Sequence, residues 1–208
     1  NWYNMHPLFY FAIGLGIFVT LSVLATFIMT YRFRSNQVIV YAQIHFLIII
    51  LTGFLLASIA SIIYPLDPSN VICTMNHWLQ TMGYTLGLLP LLVKVAAINK
   101  MTLGARKLRR VQVDRNKLLG AVALVATITA VYLVIWTVVD PATRNEDLTL
   151  EEERGNLVAV RVNCSSSSDV WIIAALSWEL LLLVCATVLS FQARNVRQEF
   201  NESQSLAN

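Results

Sequence analysis

The sequence has 208 residues, 57% of them hydrophobic and only 13% charged, with a net charge of +3. A soluble domain carries about a quarter charged residues, so this composition, with a mean hydropathy of +0.63, excludes an ordinary soluble fold and points to an all-α membrane protein. A net charge this small is no argument for nucleic acid as a partner; membrane lipid is the expected one.

Five apolar runs are long enough to cross a bilayer, which takes roughly 20 mostly apolar residues. None alternates strictly, as the strands of a membrane barrel would. The first run, residues 7–31, is too long for the core of a secretory signal, and no small-residue cleavage pattern follows it. Arg32 and Arg34 open the short loop 32–37. The second run, 38–64, carries His45 near one end and closes on Tyr64 and Pro65.

The third run, 71–98, is the most polar. Cys73, Gln80, Gly87 and Lys94 recur every seven residues. Seven residues is two helical turns, so they share a face, flanked by His77 and Tyr84. Gln80, His77 and Tyr84 are therefore candidates for the bundle interior, and this helix for its centre. Gly83 and Gly87 form a small-xxx-small pair that admits another helix closely. Pro90 is expected to kink the helix and free a carbonyl one turn back. Lys94 lies about 32 Å along the helix from Cys73. It either snorkels to the headgroups or pairs with an acid on a neighbouring helix.

The loop 99–117 holds Lys100, Arg106, Lys107, Arg109, Arg110, Arg115 and Lys117. The fourth run, 118–139, has no charge and ends on Trp136 and Asp140. The loop 141–169 is the longest. Its three adjacent acids, Glu151, Glu152 and Glu153, read as a solvated turn rather than a metal site. Its "LVAVRVNCSSSSD" alternates β-branched residues, so a short hairpin is expected over the bundle mouth. Asn163 begins an Asn-Cys-Ser glycosylation sequon, one that a bridged Cys164 would hinder. The fifth run, 170–191, contains Glu179 roughly 14 Å from its start. A lone carboxylate at that depth is protonated, paired or hydrated. No partner is evident at that depth, so either the partner lies outside this sequence or the acid is neutral and hydrogen-bonded. Cys185 reads as a small apolar residue. The polar end, 192–208, contains Arg194 and Arg197.

Twelve of the 15 Lys and Arg residues fall on the side of loops 32–37, 99–117 and 192–208; Arg144, Arg154 and Arg161 fall on the other. The basic side is cytoplasmic, which puts the N-terminus outside, the C-terminus inside and the protein in the plasma membrane. Cys73 and Cys164 then both face the oxidising side. A disulfide is expected there rather than two free thiols, and it would pin the long loop to the third helix. His45 and His77 sit at different depths, unlike a haem pair. No nucleophilic triad or phosphate-binding loop is present, so no cofactor, metal or enzymatic chemistry is expected.

In order along the chain stand "IIYPLD" after the second run, "CTMNHWLQTMGYTLGLLPLLVK" in the third, "IWTVVDP" closing the fourth, "NCSSSSDVW" before the fifth and "FQARNVRQEFNESQ" after it. Together these resemble the seven-helix domain of class C G-protein-coupled receptors, closest to the metabotropic GABA type B branch. The resemblance spans essentially the whole chain. It implies a receptor-like transmembrane helix bundle, five helices of an expected seven, in which the polar end is the third inner loop leading to a sixth helix. It implies that Cys73 and Cys164 match the family's bridge. It implies that Lys94 matches a lysine holding the inactive state against an acid on helix six. It also implies that the inner loops, with Arg32, Arg34, Lys100, Arg106, Lys107, Arg109, Arg110, Arg194 and Arg197, face a heterotrimeric G protein, that the receptor forms homo- or heterodimers, and that its ligand is amino-acid-like. The sequence departs from the family at Ala96-Ala97, where Trp-Arg is usual, at Leu47-Ile48, where an Asn pair is expected, and at Glu179, where relatives often carry lysine. The rival readings are a transporter or channel lined by Glu179, Gln80 and Lys94, which should show internal repeats and shows none, and a non-signalling dimerisation or trafficking partner.

Overall fold

The computed structural model describes residues 7–34, 44–66, 68–106, 114–150 and 158–206. Among the described residues five helices carry the fold: α1 (Pro7–Arg32), α2 (Ile44–Ile63), α3 (Asn70–Arg106), α4 (Arg115–Val139) and α5 (Val170–Leu206). Each contains a stretch long and apolar enough to span a membrane: Tyr10–Arg32, Ile44–Ile63, Asn70–Lys100, Asn116–Val139 and Val170–Gln192. Two strands, β1 (Thr143–Leu150) and β2 (Val158–Ser165), pair antiparallel between α4 and α5, with Arg144 opposite Cys164. The acidic residues 151–153 and the basic residues Lys107, Arg109 and Arg110 lie outside the described residues.

The helix ends follow from their caps. Ser69 Oγ accepts the backbone N–H of Ile72 and starts α3. Asp114 does the same for Asn116 and starts α4. Pro7 stands at the first position of α1, where its missing N–H costs nothing. Pro90, fully buried, does not end α3, which runs on to Arg106.

Two boundaries differ from the sequence-based expectation. The segments 99–117 and 192–208 were expected as loops, yet α3 continues through Arg106 and α5 through Leu206, each helix being 37 residues long. Leaving the apolar stretch does not end a helix, because its backbone satisfies itself in water as in lipid. Residues 192–206 contain neither Gly nor Pro to break it.

α3 is the central element, packing against α2, α4, α5 and both strands. Its contact with α2 is the closest in the bundle. A Cβ on Gly53 of α2 would fall on the backbone of Gly87, and one on Gly83 would come within 2.7 Å of the Ala57 nitrogen. Gly53 and Ala57 repeat on α2 the four-residue spacing of Gly83 and Gly87 on α3, so two small-residue stripes meet face to face. α1 lies along α2, joined by the Thr20 hydroxyl donating to Ser58 Oγ at 3.0 Å. Two apolar clusters fill the bundle. Near the hairpin, Leu133, Trp136 and Ala175 pack with Trp78, Met82, Tyr132 and Trp171. Towards the other end, Phe46, Leu89, Leu92, Val122 and Leu182 join α2, α3, α4 and α5.

Candidate functional site

The polar side chains gather along the seam of α3 with α4 and α5. At the hairpin end, a disulfide joins Cys73 in the first turn of α3 to Cys164 near the end of β2. The Arg144 N–H donates to Asn70 Oδ1 at 3.0 Å, tying β1 to the same turn. Just beyond β2, Trp136 Nε1 donates to Ser166 Oγ at 2.9 Å. The two carboxylate oxygens of Asp140 accept the N–H groups of Ser167 at 2.9 Å and Ser168 at 3.0 Å. These bonds, the Ser167 one foremost, hold the Asp140 carboxyl below its ordinary range against the opposing pull of desolvation. One turn deeper, Tyr132 Oη donates to the Trp171 carbonyl at 2.6 Å. Within a stretch of eight residues, 164–171, the chain is thus fastened once to α3 and repeatedly to α4.

Below this clasp lies an aromatic layer. His77 lies tilted against Trp136 with centroids 4.7 Å apart, and Trp136 lies nearly parallel to Trp171 at 6.5 Å. Trp78 Nε1 donates to Thr137 Oγ1 at 2.9 Å. Thr74, His77, Trp78, Trp136, Thr137 and Ala142 line a half-open cavity of about 10 Å³, room for a single water.

The mid-span cluster comes next. Gln80 Nε2 donates to Glu179 Oε2 at 3.2 Å and Thr81 Oγ1 to Glu179 Oε1 at 3.4 Å. One turn on, Trp178 Nε1 donates to Thr85 Oγ1 at 3.1 Å, and Thr85 donates to the Thr81 carbonyl at 2.8 Å. Thr81 and Thr85 are buried; Gln80 and Glu179 are half-buried. Glu179 therefore has partners within the chain, where the sequence offered none. The signal was available. Gln80 lies ten residues past Asn70 and Glu179 nine past Val170, and both helices start at the hairpin end, so the two stand at equal depth. The sequence left two alternatives open for Glu179; these hydrogen bonds lie within the chain, with Gln80 and Thr81 as the donors.

The other candidates fall as follows. Tyr84, expected in the interior, is 40% exposed. Its direction on α3 falls between that of Gly83 and Gly87, which meet α2, and that of Thr81 and Thr85, which face α5. Spacing alone does not say which part of a polar stripe a neighbour covers. Lys94 is half-buried on α3, and Ala96 beside it is exposed. Arg32, Arg34 and Lys100 are exposed at the end away from the hairpin, the Arg34 guanidinium 5.3 Å from the centre of the Tyr31 ring. Arg106 lies in the last turn of α3, and Arg194 and Arg197 in the continuation of α5. Asn163 stands on β2 opposite Asn145. Asn99 Nδ2 donates to Gln192 Oε1 at 3.4 Å and links α3 to α5 at that same end.

A family model described as "7 transmembrane sweet-taste receptor of 3 GCPR" matches residues 3–208. Metabotropic glutamate receptor-like protein F of Dictyostelium discoideum is 29% identical over 192 residues, covering 88% of this chain and 24% of that protein. Metabotropic glutamate receptor-like protein B of the same organism is 29% identical over 203 residues, covering 93% and 26%. Metabotropic glutamate receptor 6 of Rattus norvegicus is 25% identical over 198 residues, covering 92% and 22%. The chain thus spans about a quarter of the length of the curated relatives it matches. Those relatives are named as receptors. With a family match over nearly its full length and five membrane-length helices around a disulfide-fastened third, this chain belongs to the class C G-protein-coupled receptor seven-helix family.

Proposed function

We propose that this domain relays the binding of an extracellular, amino-acid-like ligand to a heterotrimeric G protein by shifting α3 against α5. The observation that carries the reading is the position of α3. It packs against α2, α4 and α5, is fastened to the β2–α5 segment at one end through Cys73–Cys164, and presents Lys94 towards the other. A displacement of the hairpin reaches α3 through a covalent bond and α5 through the continuous chain.

In this reading the hairpin end is extracellular and the basic end cytoplasmic, in keeping with the charge asymmetry of the loops. Arg32, Arg34, Lys100, Arg106, Lys107, Arg109, Arg110, Arg194 and Arg197 then face the G protein. Lys94 holds the inactive state through an acid on a sixth helix. The receptor works as a dimer with itself or another class C receptor, at the plasma membrane. The motifs quoted above support the GABA type B branch as its position within the class, and Asn163 is its extracellular sequon.

Expressing the full-length gene with a panel of G-protein activation sensors tests the proposal. Lys94→Ala is expected to raise basal signalling with surface expression unchanged. No coupling to any G protein would favour a non-signalling partner, and ion or solute flux a transporter.

A further inference from the structure

We infer that Glu179 is carried as a neutral carboxylic acid, and that its proton is a bound ligand whose release loosens α3 from α5. Four observations lead there.

The first is depth. Glu179 lies nine residues into α5, about 14 Å from the start of its span at 1.5 Å per residue. An ionised group in hydrocarbon is costly unless it is compensated.

The second is the absence of a compensating cation at that depth. Between Asn70 and Lys94, between Leu118 and Val139, and between Val170 and Gln192, Glu179 is the one charged residue type in the sequence. Lys94 is fourteen residues from Gln80 along α3, about 21 Å. The titratable groups nearest on α3 are His77, one turn towards the hairpin, and Tyr84, one turn the other way. α4 brings Tyr132, whose hydroxyl is given to Trp171, and α5 itself has Cys185 two turns on.

The third is the chemistry of the two partners. Gln80 and Thr81 each carry both a donor and an acceptor. They can serve an ionised Glu179 by donating to both its oxygens. They can equally serve a protonated one, the acid O–H donating to Thr81 Oγ1 or, after an amide flip, to the Gln80 carbonyl oxygen. The clasp therefore accommodates either state locally, and the cost of burying charge decides between them.

The fourth is access. His77, four residues before Thr81 on the same face, borders the water-sized cavity beneath Ala142 at the hairpin end. Along α3, His77 is the titratable group that stands between Glu179 and that end. The step is a simple acid dissociation: the O–H bond breaks, the proton passes to water, and the carboxylate remains. Once ionised, the half-buried carboxylate keeps Gln80 and Thr81 as donors but needs water as well, so the seam between α3 and α5 must open to admit it.

The decisive experiment is infrared difference spectroscopy of the purified full-length protein in lipid bilayer discs, with the glutamates carbon-13 labelled, titrated between pH 5 and pH 9. The wild type is expected to show a labelled carboxylic-acid carbonyl band at neutral pH that shifts in heavy water and fades as pH rises. Glu179→Gln is expected to lose that band. A labelled carboxylate at neutral pH, with no acid band removed by the substitution, would overturn the inference and point to a cation supplied elsewhere in the receptor. Because the spectrum needs no signalling readout, it stands or falls separately from the proposed coupling. If signalling is present, extracellular pH should tune basal activity in the wild type, and Glu179→Gln should abolish that dependence; dependence surviving the substitution would exclude Glu179 as its source.

Discussion

Besides its packing, Trp178 donates its indole N–H to Thr85 Oγ1 of α3, while the Thr85 hydroxyl is itself spent on the Thr81 carbonyl. Trp178→Phe keeps most of the ring's packing and removes that bond alone. Interhelical hydrogen bonds in membranes average about 0.6 kcal/mol and reach about 1.7 kcal/mol, so a loss in that range is expected, measured by unfolding in mixed detergent. Asp140 makes a different kind of contact, outside the spans, and its effect depends on pH. Because its carboxyl is held below the usual carboxylate value, its contribution is fully present above that value and is lost as pH falls through the lower native one. Asp140→Asn replaces one acceptor oxygen by a donor facing a donor. The amides of Ser167 and Ser168 should therefore exchange faster in the variant at neutral pH, and the difference from wild type should vanish in strong acid. Little of this detail was legible in the sequence. Asp140 stood out only as part of a motif, and a hydrogen-bonded Glu179 was one of two alternatives, its donors Gln80 and Thr81 being unassigned because spacing along one helix does not say which side chains of another it meets.

Helix against helix, the α2–α3 seam is the least forgiving contact. Where a Cβ on Gly83 meets the Ala57 backbone, a larger side chain has no flexible neighbour to push aside. Overpacking costs about 1–3 kcal/mol where side chains can yield, and here the backbones must separate. Gly83→Leu is thus expected to lower surface expression and thermal stability by at least that margin, whereas Gly14→Leu, on α1 with open space around its Cα, should leave both unchanged. The Gly83/Gly87 spacing made half of this seam readable; its counterpart, Gly53 with Ala57, carried the same spacing unnoticed inside an otherwise uniform apolar run. The hairpin divides in the same way. β2 announces itself through Val158, Val160 and Val162, alternating with smaller or polar residues, but β1 reads Thr-Arg-Asn-Glu-Asp-Leu-Thr-Leu, poor in strand formers, and owes its conformation to pairing with β2 and to the Asn70 anchor. The ends of α3 and α5 were misplaced because hydropathy marks where a membrane stops, not where a helix does.

For the whole molecule, the five spans were legible because each apolar run exceeds the bilayer requirement. Their arrangement was less so, since nearly uniform apolar faces leave packing partners to small residues and a few polar contacts. The central place of α3 explains why so many of those contacts fall on one helix: it is bonded to the hairpin at one end, clasped to α5 at mid-span and linked to α5 again through Asn99 and Gln192. The proposed relay would carry a movement at the hairpin along this helix. The most direct test is nucleotide exchange on purified heterotrimeric G proteins by the full-length protein reconstituted in bilayer discs. Accelerated exchange is expected on at least one G-protein type, faster still for Lys94→Ala without ligand. Exchange at the uncatalysed rate with every type, accompanied by ion or solute flux in sealed vesicles, would contradict it.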